Sequence, residues 1–156
     1  MIGLFKWLYL IALAVWLGTI VFFSFFVAPT VFRTLSPDEA GRLVAGIFPH
    51  YYGVGYVCGV LLLVTSVGLW RSASSSAATW VVSTGLAAVM LVLTLYAGLV
   101  LQPRAHALRE QLHGPSAESS VKVEFDQLHR RAVQMNAAVL VGGLAITGLA
   151  AATLRP

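Results

Sequence analysis

Imidazole and carboxylate groups are the side chains of this sequence best suited to bind a first-row metal ion. His50, His106 and His129 stand close to the ends of long apolar stretches, and His113 lies between the last two. No two of the four histidines have the i, i+4 spacing of a helical metal-binding pair. They are therefore weak candidates for a metal site, and the sequence does not identify a metal.

A second group of residues suits the binding of a lipid or a partner protein. These residues, which stand at the ends of the same apolar stretches, are Arg33, Pro49, Tyr51, Tyr52, Pro103, Arg104, His129 and Asn136. A guanidinium can hold a lipid phosphate through two parallel hydrogen bonds. The structural alternative is that Arg33 and Arg104 snorkel to the headgroups and cap the last carbonyl groups of a helix.

Catalytic and cofactor-binding motifs do not occur in the sequence. It presents no Ser/His/Asp or Cys/His set, no P-loop and no dinucleotide-binding fingerprint. The apolar stretches contain no histidine to ligate haem and no charged residue of the kind that ion-coupled transporters place at mid-membrane. We therefore expect a non-enzymatic protein without a cofactor.

Four apolar windows must position these residues. The windows, which contain no Lys, Arg, Asp, Glu or His, are 7–32, 51–70, 72–103 and 132–154. Hydrophobic residues make up 58% of the chain and charged residues 10%, so a soluble fold could not cover this apolar surface. Each window is long enough to cross the hydrocarbon core of a bilayer as a helix. The sequence predicts an all-α, polytopic membrane four-helix bundle that forms a single domain over 1–156.

The ends of the spans follow from their flanking residues. We place the spans near 6–28, 51–70, 78–101 and 133–154. Four crossings put both termini and a serine-rich turn at 71–78 on one side, where tryptophan and basic residues form an interfacial belt. The belt comprises Lys6, Trp7, Trp70, Arg71, Trp80 and Arg155.

The opposite side of the molecule, called the loop face below, consists of segments 29–50 and 102–132. Ser36 is followed by a proline and, three residues on, by a glutamate, which together form a capping box. This pattern predicts a short helix over 37–48 that lies in the headgroup plane. Pro49 is expected to end that helix before the second span begins.

The segment 102–132 predicts a helical hairpin that extends spans three and four into water. Apolar residues recur with helical spacing on both arms of the hairpin. They are Leu101, Ala105, Leu108, Leu112, Val121, Phe125, Leu128, Ala132 and Met135. Pro103 should bend the third helix at the junction, and Gly114-Pro115 should form the turn.

Small residues at i, i+4 spacing predict where helices approach closely. Gly55 and Gly59 form such a pair in the second span. The fourth span carries the pairs Ala138 with Gly142 and Gly148 with Ala152. This spacing serves either packing within the chain or a homodimer interface, and the sequence leaves both open.

Charge predicts the partners and the sidedness of the protein. The net charge of +4 suits anionic lipid headgroups. We expect no binding to nucleic acid, because the sequence does not indicate a water-exposed surface with a stripe of basic residues. Seven of the ten basic residues lie on the loop face, namely Arg33, Arg42, Arg104, Arg109, Lys122, Arg130 and Arg131. This excess predicts that the loop face is cytoplasmic.

The sequence resembles the transmembrane protein 205 family over essentially its whole length. The residues that carry the resemblance are Val31-Phe32-Arg33-Thr34-Leu35, Ala40-Gly41, Ile47-Phe48-Pro49-His50-Tyr51-Tyr52, Leu101-Gln102-Pro103-Arg104, Phe125, Leu128, His129 and Asn136. The resemblance implies a four-helix membrane protein with its characteristic residues on one face. It supplies no reaction. Animal members are linked to trafficking or to resistance to metal-containing toxicants, and their equivalent of 102–132 is longer.

Three classes of function are consistent with the sequence. The first is a non-enzymatic scaffold or accessory subunit whose loop face binds membrane lipids or a partner protein, alone, as a homodimer or in a larger complex. The second is a small transporter or exporter of a metal or hydrophobic cation that dimerises through Gly55 and Gly59. The third is a haem- or quinone-linked redox subunit. The first is our leading hypothesis because the motifs lie on the loop face while the interior of the spans contains no Lys, Arg, Asp, Glu or His.

Overall fold

The structure, a computed structural model, describes residues 2–72, 77–112 and 119–153. These residues form four long helices, each containing an 18-residue window apolar enough to cross a membrane. The helices are α1 (Ile2–Thr34), α2 (Pro37–Ser72), α3 (Ala77–Leu112) and α4 (Ser119–Thr153). The prediction of an all-α polytopic membrane bundle is confirmed. Most of the predicted serine turn, the hairpin tip with His113 and Gly114-Pro115, and Arg155 lie outside the described residues.

The core lies along the axis of the bundle. Helix α2 packs against α1 and α3, and α4 packs against α3 and, over a shorter stretch, against α1. Trp16 of α1 and Met90 of α3 are almost fully buried between them. Trp80 is only 4% exposed and meets Tyr9 edge-to-face with ring centroids 5.4 Å apart. The prediction that Trp80 belongs to an interfacial belt is therefore wrong, because its ring packs against α1.

Gly55 and Gly59 allow α1 and α3 to approach α2 inside the same chain. A Cβ atom at Gly59 would lie 2.8 Å from Leu91 Cδ1 and 3.1 Å from the Trp16 ring. A Cβ atom at Gly55 would lie 2.9 Å from the γ-methyl of Thr94. Both glycines are buried, so of the two uses that the sequence left open the structure shows packing within the chain.

Two helices widen into π-helix at the loop-face end of their spans. The π segments are Phe23–Val27 in α1 and Ala97–Leu101 in α3, and each is followed two residues later by a proline. Pro29 and Pro103 have no N–H to donate, and their rings would clash with the carbonyl group four residues earlier, which lies inside the π segment. The wider turn of the π-helix tolerates the missing N–H and moves the carbonyl group away from the proline ring, so the helix continues. The ordinary α-helical parts are Ile2–Phe22, Ala28–Thr34, Ala77–Tyr96 and Gln102–Leu112.

Helix α2 differs from the prediction at Pro49. The capping box is present: the Ser36 hydroxyl donates to the Glu39 carboxylate over 2.6 Å, and the helix begins at Pro37 as predicted. It then continues through Pro49 to Ser72 as one helix, so the prediction of a separate helix over 37–48 is corrected. Pro49 removes a single hydrogen bond, while Phe48 packs against Phe23 of α1 and keeps the first turns in line.

The predicted extension of spans three and four is present. The helical segment Gln102–Leu112 continues α3 beyond its predicted span and packs against α4. Leu128 of α4 is buried in this contact layer, and Phe125 and Leu108 are half-buried. The apolar spacing read from the sequence thus identified the two helical faces that meet.

We predict that Gly59→Leu lowers the free energy of unfolding by about 1–3 kcal/mol, because the added side chain would overlap Trp16 and Leu91. Thermal unfolding of the purified protein in detergent measures the change. The matched control is Gly53→Leu in the same helix, since a Cβ atom at Gly53 has nothing within 4 Å. A stable Gly59→Leu protein with an altered oligomeric state would contradict packing within the chain.

Candidate functional site

Three polar side chains from three helices meet near the loop-face end of the bundle. The Tyr51 hydroxyl of α2 donates a short hydrogen bond to Asn136 Oδ1 of α4. Asn136 Nδ2 in turn donates to Ser24 Oγ of α1 over 3.1 Å. We call Ser24, Tyr51 and Asn136 the polar centre. It joins residues that lie 85 and 112 positions apart in the sequence.

The local structure of each helix explains how the polar centre forms. Ser24 belongs to the π segment Phe23–Val27, whose wider turn alters the direction of its side chains relative to an α-helix. Tyr51 lies two residues after Pro49, and Asn136 lies one turn inside the predicted fourth span. An amide group in apolar surroundings costs free energy unless it is hydrogen-bonded, so Asn136 fixes the positions of α1 and α2 relative to α4.

A narrow cleft lies beside the polar centre on the axis of the bundle. All four helices contribute to it, and its lining residues are Trp16, Thr19, Ile20, Tyr51, Tyr52, Gly55, Leu93, Thr94, Ala97, Ala132, Met135, Asn136 and Val139. The space that the centre of a water molecule can occupy is about 10 Å³, which is close to the minimum for one water. The cleft could therefore hydrate the polar centre but has no room for a larger molecule.

Aromatic side chains cover the loop-face side of the cleft. Phe23 and Tyr51 have ring centroids 5.0 Å apart, and Tyr51 and Tyr52 meet edge-to-face at 5.3 Å. Tyr52 stacks with Tyr56 at 6.4 Å, and both pack directly against Gly98 in the second π segment. A Cβ atom at Gly98 would lie 2.7 Å from the Tyr52 ring, so glycine permits this contact.

The structure divides the predicted lipid- or partner-binding residues into two sets. Tyr51, Tyr52 and Asn136 are half-buried and line the cleft. The other five are exposed at the loop-face end, and they are Arg33, Pro49, Pro103, Arg104 and His129. The first set holds helices together, while the second set is accessible to a lipid or a partner.

The candidate metal ligands do not converge. His50 is exposed, His106 Nδ1 lies 3.5 Å from the Glu110 carboxylate, and His129 stacks on Phe125. Across residues 2–72, 77–112 and 119–153, no three His, Cys, Asp or Glu side chains are placed to hold a metal ion. The described structure therefore gives His50, His106 and His129 no shared metal site.

Sequence reasoning missed Ser24 as a partner of Asn136 and missed both π segments. The available signal was the proline that follows each segment, since Pro29 and Pro103 both lie at the ends of apolar runs. A proline there predicts a local change of helix geometry but not which side chain it redirects. Pairing Ser24 with Asn136 needed the arrangement of α1 next to α4.

The fold and the site define a multi-pass, all-α membrane protein with a polar centre near one end of its bundle. Residues 11–114 match the family described as a domain of unknown function (DUF4149), and the chain belongs to that family. The matched region contains Ser24, Tyr51 and both π segments but ends before Asn136.

One relative is an uncharacterized protein of Aquifex aeolicus (strain VF5), with 33% identity over 97 residues. The match covers 62% of this chain and 66% of the relative, so it spans slightly less than two thirds of the relative's length. No solved structure matches the chain. The comparisons establish the family and supply no reaction.

We predict that Asn136→Ala lowers the free energy of unfolding by about 1–2 kcal/mol, because it removes two interhelical hydrogen bonds. Tyr51→Phe should add little in the Asn136→Ala background, since the shared bond is already lost. Denaturant unfolding in mixed micelles measures both variants. Tyr96→Phe, on the exposed surface of α3, is the control. Fully additive effects of the two variants would contradict their coupling.

Proposed function

We propose that this protein is a non-enzymatic membrane scaffold or accessory subunit whose loop face binds phospholipid headgroups. A partner protein at the same face is the alternative occupant. The observation that supports the proposal is the contrast between the loop face, which exposes Arg33, Arg104 and His129, and an interior cleft with room for about one water.

The two arginines suit phosphate binding by their positions. Arg33 lies in the last turn of α1, and Arg104 lies three residues beyond the predicted end of the third span. Both are exposed, and a guanidinium near the headgroup layer is attracted to lipid phosphate. The polar centre has a positioning role in this proposal, because Ser24 fixes α1, the helix that carries Arg33, against α4.

The scaffold fits the structure better than the rival interpretation of a small transporter. Gly55 and Gly59, the proposed dimer contact of that transporter, are buried within the chain. The cleft on the bundle axis is too small for a hydrophobic cation. We further propose that the protein forms a homodimer or a larger membrane complex through another surface. We also propose that it is related to the transmembrane protein 205 family.

We predict that replacing Arg33 and Arg104 together by glutamine weakens phospholipid binding about tenfold or more, since each basic residue near the membrane surface contributes to the attraction. Lipid that co-purifies with the full chain, measured by mass spectrometry, reports the change. The matched control replaces Lys6 and Arg71, exposed at the opposite end, by glutamine.

The same purification distinguishes the two occupants of the loop face. Loss of lipid in the Arg33/Arg104 variant supports the lipid-binding scaffold. Loss of a cross-linked protein with unchanged lipid favours the partner protein. If neither changes, the arginines only cap and anchor their helices, and the proposal is wrong.

We also propose that the loop face is cytoplasmic, because it carries seven of the ten basic residues. Both termini would then lie on the other side of the membrane. We predict that a reporter fused after Pro156 is active only outside the cytoplasm. A fusion that is active only in the cytoplasm would reverse the assignment.

A further inference from the structure

Arg109 connects the part of α3 that extends beyond its span to the first turn of α2. The extension Gln102–Leu112 packs against α4, and an open groove lies between it and α2. Across this groove the Arg109 Nη2 group donates a hydrogen bond of 2.6 Å to the carbonyl oxygen of Asp38. A carbonyl oxygen has two lone pairs, so it can accept this bond in addition to one from its own helix.

Gly41 gives the guanidinium of Arg109 a place against the backbone of α2. A Cβ atom at Gly41 would overlap the central carbon and both terminal nitrogens of the guanidinium. Any other residue type here would therefore push the guanidinium away from the helix. We call the contact of Arg109 with Asp38 and Gly41 the Arg109 clamp.

The α2 side of the clamp is joined closely to the end of α1, which carries Arg33. Two residues separate the end of α1 at Thr34 from the start of α2. Both are hydrogen-bonded: the Leu35 N–H donates to the Val31 carbonyl oxygen over 3.0 Å, and Ser36 forms the capping box. The last turns of α1 also pack against α2. The end of α1 must therefore follow any movement of the first turn of α2.

The α3 side of the clamp carries Arg104. Arg104 and Arg109 belong to one regular α-helical segment and are five residues apart. At 1.5 Å per residue they are about 7.5 Å apart along the helix axis, and a helix is stiff over that length. The clamp therefore relates the helix of Arg104 to the helix of Arg33.

The polar centre does not make the clamp redundant. It fixes α1 to α4 at Ser24, which lies nine residues before Arg33 and inside the first π segment. The clamp acts at the other side of Arg33, five residues after it, at Asp38. The end of α1 thus has one interhelical hydrogen bond on each side.

We propose that Arg109 is a positioning residue for the phospholipid site of the loop face. It holds the segments that carry Arg33 and Arg104 in one arrangement, which lowers the conformational entropy that lipid binding costs. Arg109 itself does not bind the lipid, because its guanidinium is bonded to α2. This inference rests on the proposed function, in which Arg33 and Arg104 bind the headgroups.

Gly41→Ala tests the clamp without removing the charge of Arg109. The added methyl group occupies the place of the guanidinium, and alanine favours the helix more than glycine does. The matched control is Gly46→Ala in the same helix, where a Cβ atom has nothing within 4 Å. We expect the phospholipid that co-purifies with the full chain to fall about threefold in Gly41→Ala and to stay unchanged in Gly46→Ala. Thermal unfolding in detergent should not fall in either variant, which separates positioning from loss of the fold.

Arg109→Gln breaks the same contact from the other helix. It should lower the co-purified lipid, and the double variant with Gly41→Ala should lower it no further than Arg109→Gln alone. A loss of lipid in Arg109→Gln with none in Gly41→Ala would show that the charge of Arg109 matters and its position does not. That result would overturn the proposal.

A distance measurement tests the clamp independently of lipid. Spin labels attached at Thr34→Cys and Ala107→Cys, both exposed positions, report the separation of the end of α1 from the α3 extension by pulsed electron paramagnetic resonance. Cys58, the one native cysteine, is replaced by alanine. We expect a narrow distance distribution that broadens in Gly41→Ala and in Arg109→Gln.

The two measurements distinguish the possible failures. An unchanged distance distribution in both variants would overturn the clamp, and a broadened one with unchanged lipid would overturn its positioning role. Failure of the proposed function is recognised elsewhere, because the glutamine variant of Arg33 and Arg104 would then keep its lipid. The distance result would still show whether Arg109 holds the two segments together.

Discussion

The structure depends on one constraint: backbone N–H and C=O groups in apolar surroundings must be hydrogen-bonded within the protein. A proline within a helix has no N–H, so it leaves the carbonyl group four residues earlier without its usual donor. Three of the four helices carry such a proline near the loop face, at Pro29, Pro49 and Pro103. Two of them follow π segments, in which the N–H of Ala28 and of Gln102 reaches back five residues. The helices therefore continue past their spans, and the loop face is built from helical extensions.

These deviations from regular helix coincide with the features that distinguish the loop face. The first π segment carries Ser24 to Asn136, and the second places Gly98 against Tyr52 and Tyr56. The polar centre ties α4 to α1, the neighbouring pair that packs over the shortest stretch. The opposite end of the bundle combines apolar packing, such as Tyr9 on Trp80, with a hydrogen bond from the Thr84 hydroxyl to Ser66 Oγ. The loop-face end thus combines a hydrogen-bonded link between three helices with exposed basic side chains.

Local patterns in the sequence were sufficient for features that depend on neighbouring residues alone. The capping box of Ser36 and Glu39 is such a feature. The helical spacing that marks the apolar faces containing Leu108 and Leu128 is another. Features that depend on which helix lies opposite were not predictable in this way. Trp80 is a residue type that commonly anchors a helix at the membrane interface, but in the structure α1 covers it. Gly59 has a spacing that suits a contact between two chains as well as a contact within one chain.

The sequence by itself determined that the chain crosses the membrane four times and that charged residues and histidines lie at the ends of the bundle, because the length of each apolar stretch and the positions of the charges can be read along the chain. Only the tertiary structure decided that helix α2 passes through Pro49, that Asn136 bonds to Ser24, and that Arg109 rests on Gly41. These outcomes depend on contacts between residues far apart in sequence. The periodicity of one helix gives its faces but not the partner that each face meets.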